Sequence, residues 1–247
     1  MNGIVNYSSL MGRLGYWLFA APFRGRFYRI GAVFSQMVRI GVQAIPMAAL
    51  TALTIGAVLA MQSLDGLKSL GAESRVPELV SLSLFKELAP MLMAVIMIGR
   101  SGSAVSAELG TMRVSEEIEA LEVMGIHPVS YLVVPRFLAM MVMMPVLSIF
   151  GIYMGLLGGW IICEGALGMG TSFYINQALD SVMLEDLNAA LIKSAVFGFL
   201  IVTIACNTGL HVRGGAEGVG KATTASVVYS LLAVFVANAI LTALIFF

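Results

Sequence analysis

Two charged residues, Lys86 and Glu87, stand side by side inside the otherwise uncharged stretch 79–99. A run of that length suits a helix crossing a bilayer. At ~1.5 Å per residue the pair lies roughly 10 Å along it. Ionisable groups at such depth are costly, and they face a cavity or pair with a partner. Neighbours on a helix point about 100° apart, so the two do not simply neutralise each other. The functional reading, favoured here, is a polar spot in a substrate cavity. The structural alternative has Lys86 reaching outward while Glu87 bonds a neighbouring helix. Pro90 follows and can kink the helix there.

The other reactive side chains support no covalent chemistry. His127 and His211 each stand apart, and no nucleophile–base pair or carboxylate pair is present. Cys163 and Cys206 lie singly in or beside apolar runs, without the clustered ligands a metal needs. No catalytic residue, metal or cofactor is therefore expected. The stretch 215–221 matches G-x-x-x-x-G-K, but Ala222 stands where a nucleotide-binding loop needs Ser or Thr. It also joins two apolar runs instead of following a strand, so it reads as a glycine-rich turn. Gly151, Gly155 and Gly159 recur every fourth residue, a small-residue ridge that allows close helix packing.

The elements that must carry these residues are membrane helices. Of 247 residues, 59% are hydrophobic and 11% charged. Soluble domains carry about 25% charged residues, too many for this chain to match. Apolar runs at about 40–64, 79–99, 137–163, 194–212 and 222–247 predict five spans, so the expected fold is an all-α integral membrane protein. Residues 1–39 read as a cytoplasmic N-terminal segment and residues 40–247 as the transmembrane domain.

The connecting segments set the expected orientation. Arg13, Arg24, Arg26, Arg29, Arg39, Arg100, Arg113, Arg136, Arg213 and Lys221 fall on one side of the five spans. Only Lys68, Arg75 and Lys193 fall on the other. The excess of positive charge predicts a cytoplasmic N-terminus and a C-terminus outside. The short apolar stretch 14–23 precedes its arginines, which is the wrong order for a cleavable signal.

Three further segments carry readings. Phe23, Phe27, Ile30, Phe34 and Met37 recur on one helical face, with Tyr16 and Trp17 upstream, as in an amphipathic helix lying in the headgroup layer. The alternative is a sixth helix packed on the bundle. In the loop 100–129, a short helix is predicted over about 116–124. Ser115 is its expected N-cap, Glu116 and Glu117 fill its first turn, and Gly125 and Pro128 end it. Ile118, Leu121 and Met124 form an apolar ridge suited to docking in a groove of another protein. The acidic segment 164–193, with the glycine-rich 165–170, predicts a surface or re-entrant loop outside the membrane.

The run GRSGSAVSAELGTM at 99–112, with EALEVMG at 119–125 and YLVVPR at 131–136, resembles the MlaE (YrbE) family of ABC permeases. The run HVRGGAEGVGKATT at 211–224 is similar to the same family's second cytoplasmic loop. The resemblance covers about residue 39 to the C-terminus. It implies a homodimeric permease, with two cytoplasmic ATPase subunits and a periplasmic ring of MCE-domain proteins. A small STAS-type cytoplasmic protein and a periplasmic lipid carrier are further implied partners. The implied function is movement of phospholipids between the inner membrane and the periplasm, supporting outer-membrane lipid asymmetry. ATP hydrolysis would lie on the partner.

By the same resemblance the short helix is the coupling helix, with Glu116, Glu117, Ile118, Glu119, Leu121, Glu122, Met124 and Gly125 on the ATPase. Lys86 and Glu87 match a charged pair whose first member is often Arg. Leu59, Leu67 and Leu88 are implied to line acyl chains. The rival functions are a stand-alone secondary transporter and a membrane scaffold. The first should show inverted repeats and charges in several spans; the second has no need of Lys86 and Glu87.

Overall fold

The computed structural model describes residues 2–20 and 30–246. Phe23, Phe27, Arg24, Arg26 and Arg29 lie outside these residues, so part of the amphipathic N-terminal stripe does too. Every regular element among the described residues is helical. Five helical stretches among them are long and apolar enough to cross a membrane: Ile30–Lys68, Glu73–Val114, Val129–Leu167, Leu184–Leu210 and Gly215–Phe246. The protein is an all-α integral membrane protein.

The elements are α1 (Asn2–Gly15), α2 (Ile30–Ile40), α3 (Ile45–Lys68), α4 (Val76–Ser83), α5 (Ala89–Met97), α6 (Ser103–Val114), α7 (Glu117–Val123), α8 (Val134–Leu167), α9 (Thr171–Asp180), α10 (Leu184–Leu210) and α11 (Gly215–Phe246). Wide π-helical turns at Leu84–Leu88, Ile98–Gly102 and Val129–Val133 join α4 to α5, α5 to α6, and lead into α8. The segment 164–193, read from sequence as a loop, is instead the end of α8, all of α9 and the start of α10.

The chain forms two compact units. The first comprises Met1–Ala44, Val95–Met143 and Val196–Ile240. Here α2 ends at Ile40, and its last carbonyls lack helical donors. The Arg100 guanidinium donates to the carbonyls of Arg39 and Ile40, and to the Gln43 side-chain oxygen at 3.1 Å. Ser101 adds a hydroxyl to the Ile40 carbonyl at 2.8 Å. Glu108 on α6 accepts from Arg39 at 2.6 Å and from the buried Arg136 at 3.1 Å. One carboxylate thus ties α2, α6 and α8. Helix α1 also belongs to this unit, burying Leu10 and Leu14 and placing the Tyr7 hydroxyl 2.9 Å from that of Thr203. Trp17 packs its ring on His127 at 5.3 Å between centroids.

The short helix α7 differs from its sequence reading at both its start and its face. Ser115 closes α6 and is not the N-cap of α7. That place goes to Glu116 in a left-handed conformation, φ +61°. The ridge also faces differently: Ile118 is 3% exposed within this unit, whereas Val123 is 90% exposed. The outward surface is therefore Glu116, Glu117, Ala120, Glu122, Val123 and Met124. Glu119 pairs with Arg113 at 2.5 Å. The C-terminus closes as a Schellman motif, with the Ile126 amide on the Leu121 carbonyl and the Gly125 amide on that of Glu122. Gly125 sits at φ +75°, where a Cβ costs ~1–2 kcal/mol. Gly125→Ala is expected to raise amide exchange over α7 about tenfold, measured by hydrogen exchange mass spectrometry.

The second unit comprises Ile45–Ala94, Met144–Ala195 and Leu241–Phe247. Its core is Ala60, Val76, Val80, Leu84, Cys163, Tyr174 and Ala178. Helix α9 packs on α4, and α4 on α3. The Tyr174 hydroxyl donates to the Leu156 carbonyl at 3.1 Å, and burial holds that phenol well above its ordinary pKa, so it stays a neutral donor. The glycines of α8 let α3 and α4 come close. A Cβ on Gly56 would meet the Gly155 carbonyl, and one on Gly158 the Leu53 carbonyl. Gly155 also receives Leu84, Gly159 receives Tyr174 and Val80, and Gly151 receives Met93.

Candidate functional site

Pro90 shapes the local structure around Lys86 and Glu87. Proline has no amide proton, so it cannot close the helical turn onto the Lys86 carbonyl. The helix widens here, with the Ala89 amide reaching back to the Leu84 carbonyl. Such π-turns recur at functional positions. The free Lys86 carbonyl is taken by a side chain from α10: the Lys193 ammonium donates to it at 2.8 Å.

Lys193 is 0% exposed. Its three protons go to the Lys86 carbonyl, to Glu87 Oε1 at 2.6 Å, and to the Thr242 hydroxyl at 2.8 Å. Thr242 donates in turn to Glu87 Oε1 at 2.5 Å. Three segments, 84–88, α10 and the end of α11, are joined through one fully satisfied ammonium. Glu87 keeps 33% of its side-chain surface exposed, while Lys193 is enclosed, and a buried ammonium survives in an apolar site only on such terms.

With Glu87 turned to Lys193, Lys86 faces the other way. It lines a cavity of about 540 Å³ whose polar wall is Ser181, Glu185, Asp186 and Asn188 and whose apolar wall includes Leu82, Ile192, Ile245 and Phe246. The Lys86 side chain is 40% exposed, and its ammonium stands 3.5 Å from Asp186 Oδ1, a loose contact. The same ammonium lies 5.0 Å from the Phe246 ring centroid, within cation–π range. Asp186 is held from behind, accepting the Met183 amide on its other oxygen at 3.1 Å. The result is an amphiphilic chamber with one accessible cation, two carboxylates and apolar sides. It can hold a polar headgroup beside hydrocarbon.

The structure therefore separates the sequence-adjacent pair, with Lys86 in the cavity and Glu87 in the buried network. Leu59, Leu67 and Leu88 do not line this cavity; they pack around the Val80–Tyr174 core of the same unit. The sequence reading missed Asp186, Lys193, Thr242 and Phe246. Lys193 was assigned to an outer loop, yet it stands inside α10 and is fully buried. The signal was present: Asp186 and Lys193 are seven residues apart, which puts both on one face of one helix.

Comparison with known proteins places the chain. The profile of the family described as Permease MlaE matches residues 33–244. The chain belongs to the MlaE permease family. A probable ABC transporter permease of Synechocystis is 41% identical over 211 residues, covering 85% of this chain and 80% of that one. The MlaE permease protein of the Haemophilus influenzae intermembrane phospholipid transport system is 34% identical over 246 residues, covering 98% and 94%. The Arabidopsis thaliana chloroplastic protein trigalactosyldiacylglycerol 1 is 33% identical over 211 residues, 85% of this chain and 60% of its own. In this MlaE-family permease the matched region includes Lys86 and Asp186, the Lys193 network and α7, while Ile245 and Phe246 of the cavity lie beyond it.

Proposed function

We propose that this chain is the permease subunit of an ATP-driven transporter that moves phospholipids between the inner membrane and the periplasm, supporting outer-membrane lipid asymmetry. The observation that carries this reading is the amphiphilic cavity at Lys86. It suits a charged headgroup with hydrocarbon beside it, in a chain 34% identical across 98% of its length to a phospholipid-transport permease. The chain supplies binding and passage, while ATP is hydrolysed on a partner.

The working assembly is a homodimer in the bacterial inner membrane, with its N-terminus cytoplasmic and its C-terminus periplasmic. Two cytoplasmic ATPase subunits, a periplasmic ring of MCE-domain protein, a STAS-type cytoplasmic protein and a periplasmic carrier complete it. Helix α7 docks on the ATPase through the outward surface of Glu116, Glu117, Glu122, Val123 and Met124, with Ile118 and Leu121 anchoring it to its own unit. Movement of α7 passes to α2 and α8 through Glu108 and its two arginines. Leu59, Leu67 and Leu88 border the path of the acyl chains.

The test is purification of the tagged chain from native membranes in mild detergent, with mass spectrometry of the retained proteins and lipids. An ATPase, an MCE-domain protein and bound phospholipid are expected together. A chain recovered alone would bring forward a secondary transporter or a scaffold. In the same preparation Lys86→Ala is expected to lower bound phospholipid about tenfold, the scale of one charge-assisted contact to phosphate. The fold should persist, because Lys86 is half-exposed and its ion pair with Asp186 is loose.

A further inference from the structure

Resting on the phospholipid reading, the geometry points to a specificity device: the Lys86 cavity selects a zwitterionic headgroup, a phosphate joined to a primary ammonium, over an anionic one. Among the described residues, the charges that line the cavity are Lys86, Glu185 and Asp186. Lining by one cation and two carboxylates leaves a net negative wall. A purely anionic headgroup would bring its phosphate to Lys86 and meet an excess of like charge. A phosphate–ammonium headgroup meets both signs: its phosphate replaces Asp186 at the Lys86 ammonium, and its ammonium is taken by the carboxylates.

Three details make the arrangement selective. The Lys86–Asp186 contact, at 3.5 Å, is longer than a good ion-pair hydrogen bond and opens at little cost. Asp186 is 6% exposed and fixed by the Met183 amide, so its carboxylate cannot turn away from an arriving ligand. Glu185 is exposed on the first turn of α10 and has no ion-pair partner among the described residues. The other nearby charges, Glu87 and Lys193, satisfy each other in the buried network and leave this balance unchanged.

The full complex is reconstituted in bilayers holding equal amounts of phosphatidylethanolamine and phosphatidylglycerol with the same acyl chains. The lipid that stays with the protein on extraction is then counted by mass spectrometry. The wild type is expected to retain the ethanolamine lipid in about fivefold excess, the scale of one partly exposed charge contact. Glu185→Gln should bring the ratio close to parity, and Asp186→Asn, which keeps an acceptor for the Met183 amide, should do the same. A wild-type ratio equal to that of the bilayer overturns the selectivity alone, as does a ratio unmoved by both variants. Absence of any retained lipid, with Lys86→Ala changing nothing, overturns the phospholipid reading beneath it.

Discussion

Lys193→Met is expected to cost about 3 kcal/mol of stability, the low end of the range for removing one partner of a buried ion pair, because Lys193 is enclosed and Glu87 is 33% exposed. The substitution keeps an apolar chain of similar length, so the loss is electrostatic rather than a packing defect. It removes the donor shared by three groups: the Glu87 carboxylate, the Lys86 carbonyl that Pro90 leaves without its helical donor, and the Thr242 hydroxyl. The Glu87 carboxylate then keeps its charge in an apolar membrane segment without the ammonium that balances it, which is a costly defect. The measurement is thermal unfolding in detergent, followed by tryptophan fluorescence, of the wild type, Lys193→Met, Glu87→Gln and the double variant. The double variant should recover much of the loss, because a neutral Gln beside Met leaves no uncompensated charge. Lys86→Met should unfold close to the wild type. Equal unfolding temperatures for Lys193→Met and the wild type would show that the network does not hold these helices together.

Gly158→Val is expected to be among the most damaging apolar substitutions in the second unit. A Cβ there would meet the Leu53 carbonyl, carbon and the Ala57 amide, all backbone atoms of α3. Backbone cannot turn aside as a side chain can, so the helices must separate. Overpacking costs typically ~1–3 kcal/mol, and a backbone obstacle stands at or above the top of that range. Separation would also uncover the paired approach at Gly56 and Gly155. Gly151→Ala provides the contrast, because its neighbour is the flexible Met93 side chain, which can move. Folded yield after detergent extraction should fall steeply for Gly158→Val and little for Gly151→Ala. Similar yields for the two would refute the close approach of α3 and α8.

The motif at 99–112 and the loop at 211–224 were enough to point to the family, because long runs of specific residues survive where helix geometry is unknown. The apolar runs likewise announced the membrane helices, since hydrocarbon thickness dictates how long such a run must be. The N-terminal helix α1 was harder to see. Leu10, Leu14 and Trp17 repeat at spacings of four and three, but the segment is too mixed in composition to stand out. Its helicity rests on packing within its own unit, as is usual for short amphipathic helices.

Residue order alone specifies the kind of protein: apolar helices of membrane length, a charged doublet at depth, and a short acidic helix between two spans. What each charge does depends on how the helices pack. Lys193 looked like a loop residue because a charge conventionally ends an apolar run, yet Glu87, Thr242 and the carbonyl freed by Pro90 supply its partners at more than a hundred residues' separation in two cases. Lys86 and Glu87 are adjacent in sequence and have different tasks, because the helix turns them onto different neighbours. The ridge of α7 has the same lesson in reverse: Ile118 is apolar because its own unit covers it, and Val123 is the residue left facing out. A pattern of apolar spacing specifies that a face is buried; what buries it depends on partners distant in the chain, which spacing does not encode.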